Sequence, residues 1–395
     1  MDLFKKCKET VNAVERAKSI EIYPYFTPIE STQDHRVLIK GKEYIMIGSN
    51  GYLGLASDPR LKEAAIEAIK KYGSTCSGSR FLNGTLDIHL KLEEELAKFF
   101  DKDGAIVFST GFQTNLGIIS SIAGKDDIII IDRQDHASII DGCRLSFAEV
   151  KKFMHNDMVD LERILKSLPP DKGKLLIVDG VFSMEGDVIN LPEIFNLKNK
   201  YNAKLLVDDA HGIGVMGEKG RGVCEHFGLL NEVDIIMGTF SKSFASLGGF
   251  VVADADVITH IRHTARSLIF SASMTPASVA SALKSLEIIK NEPERRKRLW
   301  EITERVKAGF KNIGLDTGNS TTPVIPVIIG DDEKCFAFWK MLFENGVFAN
   351  PVISPATPPG RALIRTSYMA THTDEDISIV LDVFARCAKA FGLVK

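Results

Sequence analysis

The sequence predicts an α/β fold, a large domain built on a mostly parallel sheet followed by a smaller C-terminal α+β domain. Three observations carry this expectation. The runs "AIVFST", "DIIIID", "KLLIVDG", "KLLVDD", "VDIIMGTF" and "GGFVVAD" are mostly apolar without alternation, as strands buried on both faces read. Helical segments separate most of them, the pattern of a layered α/β fold. Finally, 395 residues are too many for one small core and enough for two packed domains.

Taken in order, residues 1–45 read as a helical lead-in and a short β-like piece within "HRVLIKGKEYIMIGS". Residues 46–285 form the large domain and 286–395 the small one. "DPRLKEAAIEAIKKYG" is predicted as a helix with Asp58 as N-cap, Pro59 at the first helical position and Gly73 as its stop. Its apolar face would be Leu61, Ala64, Ala65, Ala68 and Ile69. Leu92, Leu96, Phe99 and Phe100 repeat that spacing in the next helix. "TPASVASALKSLEIIKNEPERRKRLWEITERVKAGF" reads as one long helical stretch. No internal repeat or low-complexity linker interrupts the chain.

Composition narrows the function classes. A quarter of the residues are charged and the formal net charge is −3, which speaks against a broad nucleic-acid footprint. The charged start "MDLFKKCKETVNAVERAKSI" lacks the apolar core of a signal peptide, and no apolar run approaches a membrane span. The six cysteines are scattered with no CxxC pair, so neither a disulfide framework nor a structural metal site is expected. A cytoplasmic enzyme is the natural expectation.

Ligands of such sheets bind beyond the carboxyl ends of the strands, so the polar residues there are the ones to read for chemistry. They are Ser109–Gly111, Asp135–His136, Ser183, Asp208–His211 and Thr239–Lys242. "GIGVMG" is formally a dinucleotide fingerprint, but "DDAH" separates it from its strand and "GEKGRG" follows where a helix should begin. A nicotinamide-dependent dehydrogenase is thus the weaker reading. Lys242 carries the stronger one. A lysine at a strand end among Thr239, Ser241 and Ser243 can be held neutral and join an aldehyde. Pyridoxal 5′-phosphate is such an aldehyde. Gly111 and Phe112 would offer backbone donors to its phosphate at a helix start, with hydroxyls from Thr239 and Ser241. Asp208 would keep its ring nitrogen protonated.

"VDDAHGIGVMG" with "GTFSKS" resembles the α-oxoamine synthases, pyridoxal phosphate enzymes of fold type I, the aspartate aminotransferase-like fold. "SNGYLGL", "GSRFLNGT", "DHASIIDG", "FSMEGD" and "RTSYMATHT" fit the same family in the same order, so the resemblance covers nearly the whole chain. Within it, "SRFLNGTLDIHLKLE", "HASIIDGCRLSF", "FSASMTPASVAS" and "SPATPPGRALIRTSYMATHT" are most similar to the bacterial serine palmitoyltransferase branch. The resemblance implies a decarboxylating condensation of L-serine with a long-chain acyl-CoA, the first step of sphingolipid synthesis. Relatives that use alanine or glycine, 8-amino-7-oxononanoate synthase and 2-amino-3-ketobutyrate CoA ligase, remain the alternative. A catalytically silent scaffold of this fold would be expected to lack the lysine, and Lys242 is present.

The resemblance also assigns roles. Lys242 matches the lysine that binds the cofactor, Asp208 the partner of its ring nitrogen, and His211 the partner of its phenolic oxygen. Ser183 is a second candidate for that oxygen, and Asp209 reads as structural. His136 matches the histidine stacked on the ring. Asn50 and Arg365 match residues that receive the amino-acid carboxylate, with Arg361 a lesser candidate. Ser271 or Ser273 matches a hydroxyl that a second subunit lends to the phosphate, which implies a homodimer with shared sites; peripheral membrane contact stays open. His89, His155, His226 and His372 read as structural histidines. Two departures stand out: Gly51 replaces a polar or larger residue, and Phe112 lacks a hydroxyl.

Overall fold

The computed structural model describes residues 2–394. The chain forms two compact units, one of residues 50–183 and 187–299, the other of residues 1–49, 184–186 and 300–395.

The larger unit is built on a seven-stranded sheet. Its strands lie in the order Gly104–Phe108, Gly249–Ala253, Ile235–Thr239, Lys204–Asp208, Lys174–Asp179, Ile128–Asp132, Glu149–Phe153. Gly249–Ala253 is antiparallel to both neighbours, and the other six strands run parallel to one another. The unalternating runs fill the centre: Lys174–Asp179, Ile128–Asp132 and Ile235–Thr239 are buried along their whole length. Helices cover such a sheet because neither face can be left wet.

The helix Pro59–Tyr72 starts and stops where its punctuation requires. Asp58 accepts the Arg60 N–H, and Gly73 closes the helix at φ +83°, where a side chain would be strained. Its apolar face is narrower than the spacing suggests. Leu61 and Ala68 are buried, Ala64 and Ala65 half-buried, and Ile69 exposed, since helix Pro276–Asn291 covers only part of the surface. In helix Asp87–Phe100 all four expected residues are buried. The long C-terminal helical stretch is two helices, Pro276–Asn291 and Pro293–Ile313, because Pro293 cannot continue the first.

The smaller unit holds two three-stranded sheets. Arg36–Ile39 and Lys42–Met46 form a hairpin whose turn residues, Lys40 and Gly41, both take positive φ, with Val347–Phe348 beside them. The second sheet sets Ala362–Ser367 between Val324–Gly330 and Asn350–Val352. Helices Asp332–Glu344 and Asp374–Phe391 pack onto it through Phe338, Trp339, Val380 and Phe384.

Two buried histidines serve as acceptors for the backbone. His89 Nδ1 accepts the Leu86 N–H and its Nε2–H donates to the Met274 carbonyl. His372 does the same with Met369 and Met46. Burial drives both pKa values down to about 4. Each folded value lies below the unfolded one, so the stability they contribute is complete above pH ~6.5 and is lost as pH falls toward 4. The loss approaches about 3 kcal/mol per histidine at full titration. His89→Asn and His372→Asn keep an acceptor and cannot gain a proton, so urea midpoints of these variants should fall less steeply between pH 6.5 and 4. Parallel slopes for variants and wild type would refute the account.

Candidate active site

The parallel strands end together, and their next residues converge on a cavity of about 260 Å³. Its lining includes Gly111 and Phe112, His136, Ser183, Asp208 and His211, and Thr239, Ser241 and Lys242. Residues more than a hundred positions apart thus meet because register aligns the strand ends.

Thr110 caps the helix Gly111–Ile122 by accepting the Gln113 N–H, and the helix start meets the end of strand Ile235–Thr239. A Cβ at Gly111 would lie 2.8 Å from Thr239 Oγ1, and one at Gly249 would lie 2.7 Å from the Gly111 Cα. Both glycines are needed for this approach, which leaves the first N–H groups of the helix beside the cavity. Thr239 itself donates to the Gly248 carbonyl at 2.9 Å and accepts the Ser241 N–H at 3.2 Å, so it shapes the loop around Lys242.

That loop is closed by backbone bonds from Phe240 to Gly248 and from Ala245 to Lys242, both 2.9 Å, and is anchored by the packed rings of Phe240, Phe244 and Phe250. Lys242 is half-buried at its turn. The small residues beside it have a steric reason: a Cβ at Gly214 would come 2.6 Å from Ser243 Cβ.

Asp208 is buried at its strand end. Its Oδ1 accepts the Ala210 N–H at 3.0 Å and its Oδ2 accepts Asn115 Nδ2 at 2.7 Å. Asp209 points into a different environment. Its Oδ2 accepts the Val223 N–H at 2.6 Å, and burial raises its pKa to about 7. Gly212 and Gly222 crowd this carboxylate, where a Cβ would come within 2.0 Å of its oxygens. "GIGVMG" is therefore a turn wrapped around Asp209, not a strand-to-helix phosphate loop.

His136 caps helix Ala137–Ser146, its Nδ1 accepting the Ser138 N–H, and its own N–H donates to Asp179 Oδ2. Burial lowers its pKa; Asp208 opposes the shift and Lys242 adds to it. Asp179 and Asp135 are driven well above the carboxylate range, chiefly by burial and then by Asp208 and Asp132 respectively. His211 Nδ1 pairs with the buried Tyr52 hydroxyl at 2.7 Å.

The remaining expected residues lie elsewhere. Ser271 accepts from Gln113 Nε2 at 3.1 Å but does not line the cavity of its own chain, and Ser273 is buried with its hydroxyl on the Gly78 carbonyl. Asn50 is half-buried and outside the lining. Arg365 belongs to the smaller unit, buried within strand Ala362–Ser367, which is no place for a surface ion pair. Arg361 is exposed and pairs with Glu185 at 3.1 Å. His155 is bound by Asp132 and Asp187; burial opposes its charge, yet these hydrogen bonds carry its pKa up to about 9. Sequence reading missed Asn115, Ser138, Asp179 and Tyr52. The one local signal was Asn115 itself, a polar residue on an otherwise apolar helix face.

An aldehyde-bearing pyridine phosphate fits these groups: anion donors at a helix start, an oriented carboxylate, two imidazoles and an amine, all on one cavity. The chain belongs to the aminotransferase class I and II family, which matches residues 42–384. Its fold is that of the fold-type-I transferases, and pyridoxal 5′-phosphate is its cofactor.

More particular likenesses follow. The chain is 55% identical over 378 residues to a serine palmitoyltransferase of Sphingobacterium spiritivorum, covering 96% of this chain and 95% of that protein. It is 43% identical to an 8-amino-7-oxononanoate synthase of Thermoanaerobacter pseudethanolicus, covering 96% and 97%. Among solved structures, a serine palmitoyltransferase variant from S. paucimobilis with a bound PLP–myriocin aldimine matches with a TM-score of 0.97. That match has 37% identity and full coverage of both chains.

Proposed function

We propose that this chain is a pyridoxal phosphate-dependent acyltransferase that condenses L-serine with palmitoyl-CoA, releasing CoA, carbon dioxide and 3-ketodihydrosphingosine. The observation that carries the substrate assignment is 55% identity to a serine palmitoyltransferase over almost the entire length of both chains, against 43% to an 8-amino-7-oxononanoate synthase.

When bound, the cofactor supplies an aldehyde for the substrate amine and a ring that takes up the electron pair left at Cα. The residues of this chain do the rest. Lys242 holds the cofactor through its ε-amine and then moves the Cα proton of serine. Asp208, fixed by Asn115 and the Ala210 N–H, keeps the proton on the ring nitrogen. Gly111 and Phe112 N–H groups, with Ser241, take the phosphate. His136 would pack on the ring, while His211 and Ser183 would serve its phenolic oxygen. Asn50 and Arg365 would receive the serine carboxylate and so orient the substrate.

The working form in this reading is a homodimer in the cytoplasm, with Ser271 reaching the phosphate of the second copy. Among the described residues no helix is long and apolar enough to cross a membrane.

A substrate panel tests the assignment. Each buried methylene contributes roughly 0.8 kcal/mol, so a site that encloses the acyl chain selects length by burial. A site that hydrogen-bonds the serine hydroxyl rejects amino acids lacking it, because its polar partner is left unpaired. kcat/KM with L-serine and palmitoyl-CoA should exceed that of every pairing with glycine, L-alanine, acetyl-CoA or pimeloyl-CoA. Should alanine with pimeloyl-CoA prove the best pair, the palmitoyltransferase reading is wrong while the cofactor chemistry stands.

A further inference from the structure

We propose that Asn115 is a positioning residue whose single side-chain amide fixes both the Asp208 carboxylate and, through Ser138, the proton position on the His136 imidazole. This inference rests on reading the cavity as the pyridoxal phosphate site.

The proton count leaves one arrangement. An ionised carboxylate only accepts hydrogen bonds, so the atom of Asn115 that faces Asp208 Oδ2 at 2.7 Å must be Nδ2. The other Nδ2 hydrogen goes to Ser138 Oγ at 2.9 Å. Ser138 Oγ lies 2.7 Å from His136 Nδ1, where either atom could donate. The Ser138 N–H also points at Nδ1, at 3.2 Å. An N–H must point at a lone pair, so Nδ1 is the acceptor, the Ser138 hydroxyl donates to it as well, and the ring proton sits on Nε2.

The amide orientation has a cost that identifies its cause. Asn115 is wholly buried, and its Oδ1 has no hydrogen-bond partner among the described residues. Reversing the amide would give Oδ1 the Ser138 proton, yet it would set oxygen against the Asp208 oxygen. The charge on Asp208 decides the matter. The relay thus binds the state of one wall of the cavity, the carboxylate, to that of another, the imidazole. The titratable groups around His136 are Asp179, which accepts its backbone N–H, Asp135 behind it, and Asp208 and Lys242 across the cavity. Among the described residues, the Ser138 N–H would be the one contact left to hold the Nδ1 lone pair in place without the relay.

The test uses holoenzyme with Asn115→Leu, Ser138→Ala and Ser138→Thr, each grown with ring-15N histidine, and a His136→Asn sample to assign the His136 signals. Wild-type Nδ1 should remain an unprotonated acceptor through neutral pH. In Ser138→Ala the neutral form loses one of its two donors, and in Asn115→Leu the Ser138 hydroxyl is no longer held as a donor and is free to accept from a protonated Nδ1, so in both the His136 midpoint should move upward by about one unit. kcat should fall about 10- to 100-fold, the scale of lost positioning, and the acid limb of the pH profile, where His136 gains its proton, should shift with the midpoint. The double variant should be no worse than the poorer single, because the residues act as a unit. Ser138→Thr, which keeps the hydroxyl, should restore most of the rate and the wild-type Nδ1 signal.

Unchanged Nδ1 signals in both variants, or effects that multiply independently, would overturn the proposal. Should Asn115→Leu fail to fold, Ser138→Ala decides alone, since alanine is a good helix former at the start of Ala137–Ser146. Borohydride labelling of wild-type Lys242 separates the two levels. If the label lands on another residue, the reading of the site fails, while the nitrogen signals of the cofactor-free protein still judge the relay.

Discussion

Lys242→Ala should give a folded protein that takes up no borohydride-fixed cofactor and turns over serine at a rate near background. The loop does not depend on the lysine side chain. It is closed by Phe240 to Gly248 and Ala245 to Lys242 backbone bonds and anchored by three packed phenylalanines, so the substitution leaves its path intact. What disappears is the amine, and with it two functions: covalent retention of the cofactor and movement of the Cα proton. The second alone is worth about 10²–10⁴-fold in rate. In wild type, borohydride reduction followed by peptide mapping should place the cofactor on Lys242. Finding it reduced onto a different lysine, with turnover intact in Lys242→Ala, would remove Lys242 from the centre of the site.

The second large effect is expected at Asp208. Asp208→Asn removes the charge that keeps the ring nitrogen protonated, a preorganised electrostatic contact of about 10²–10³-fold in kcat. It also creates a local conflict. The Ala210 N–H and Asn115 Nδ2 both need an acceptor at this side chain, and an amide has only one oxygen. A buried donor left facing a donor costs about 1–3 kcal/mol of stability unless Asn115 turns over. Asp209→Asn is the contrast. Burial drives that carboxyl up to about 7 against the pull of its backbone donors, Val223 first and then Cys224 and Gly212, and it stands away from the cavity lining. An amide there costs some stability, because one oxygen replaces two before these backbone donors, but it removes no charge from the cavity, so its kcat should stay within a few-fold of wild type. Equal rates for Asp208→Asn and wild type, or a greater loss at Asp209, would reverse the assignment of the two neighbours.

Local signals in the chain carried a good part of this structure. The apolar runs became the strands of the large sheet because a segment buried on both faces has no use for alternation. Asp58, Pro59 and Gly73 bounded their helix because capping and proline geometry act within a few residues. Order alone sufficed to collect Gly111, His136, Asp208, His211 and Lys242 as one candidate site, since parallel strands deliver their following residues to the same edge.

Other features needed the assembled molecule. Ile69 fits its helical spacing but lies outside the helix's cover, and a periodic pattern cannot tell how wide a neighbour will be. Asp208 and Asp209 are chemically the same residue, one beside the other. Only the packed sheet gives the first two donors at the cavity and folds a glycine turn around the second. Asn115 and Asp208 are 93 positions apart and meet through one 2.7 Å bond; the helix face marks Asn115 as out of place, but nothing local names its partner. The sequence by itself determined which chemistry stands at the strand ends, because backbone preferences and burial act locally. Tertiary structure alone decided which of those groups is oriented by which, because hydrogen bonds between distant side chains exist only once register has brought them together.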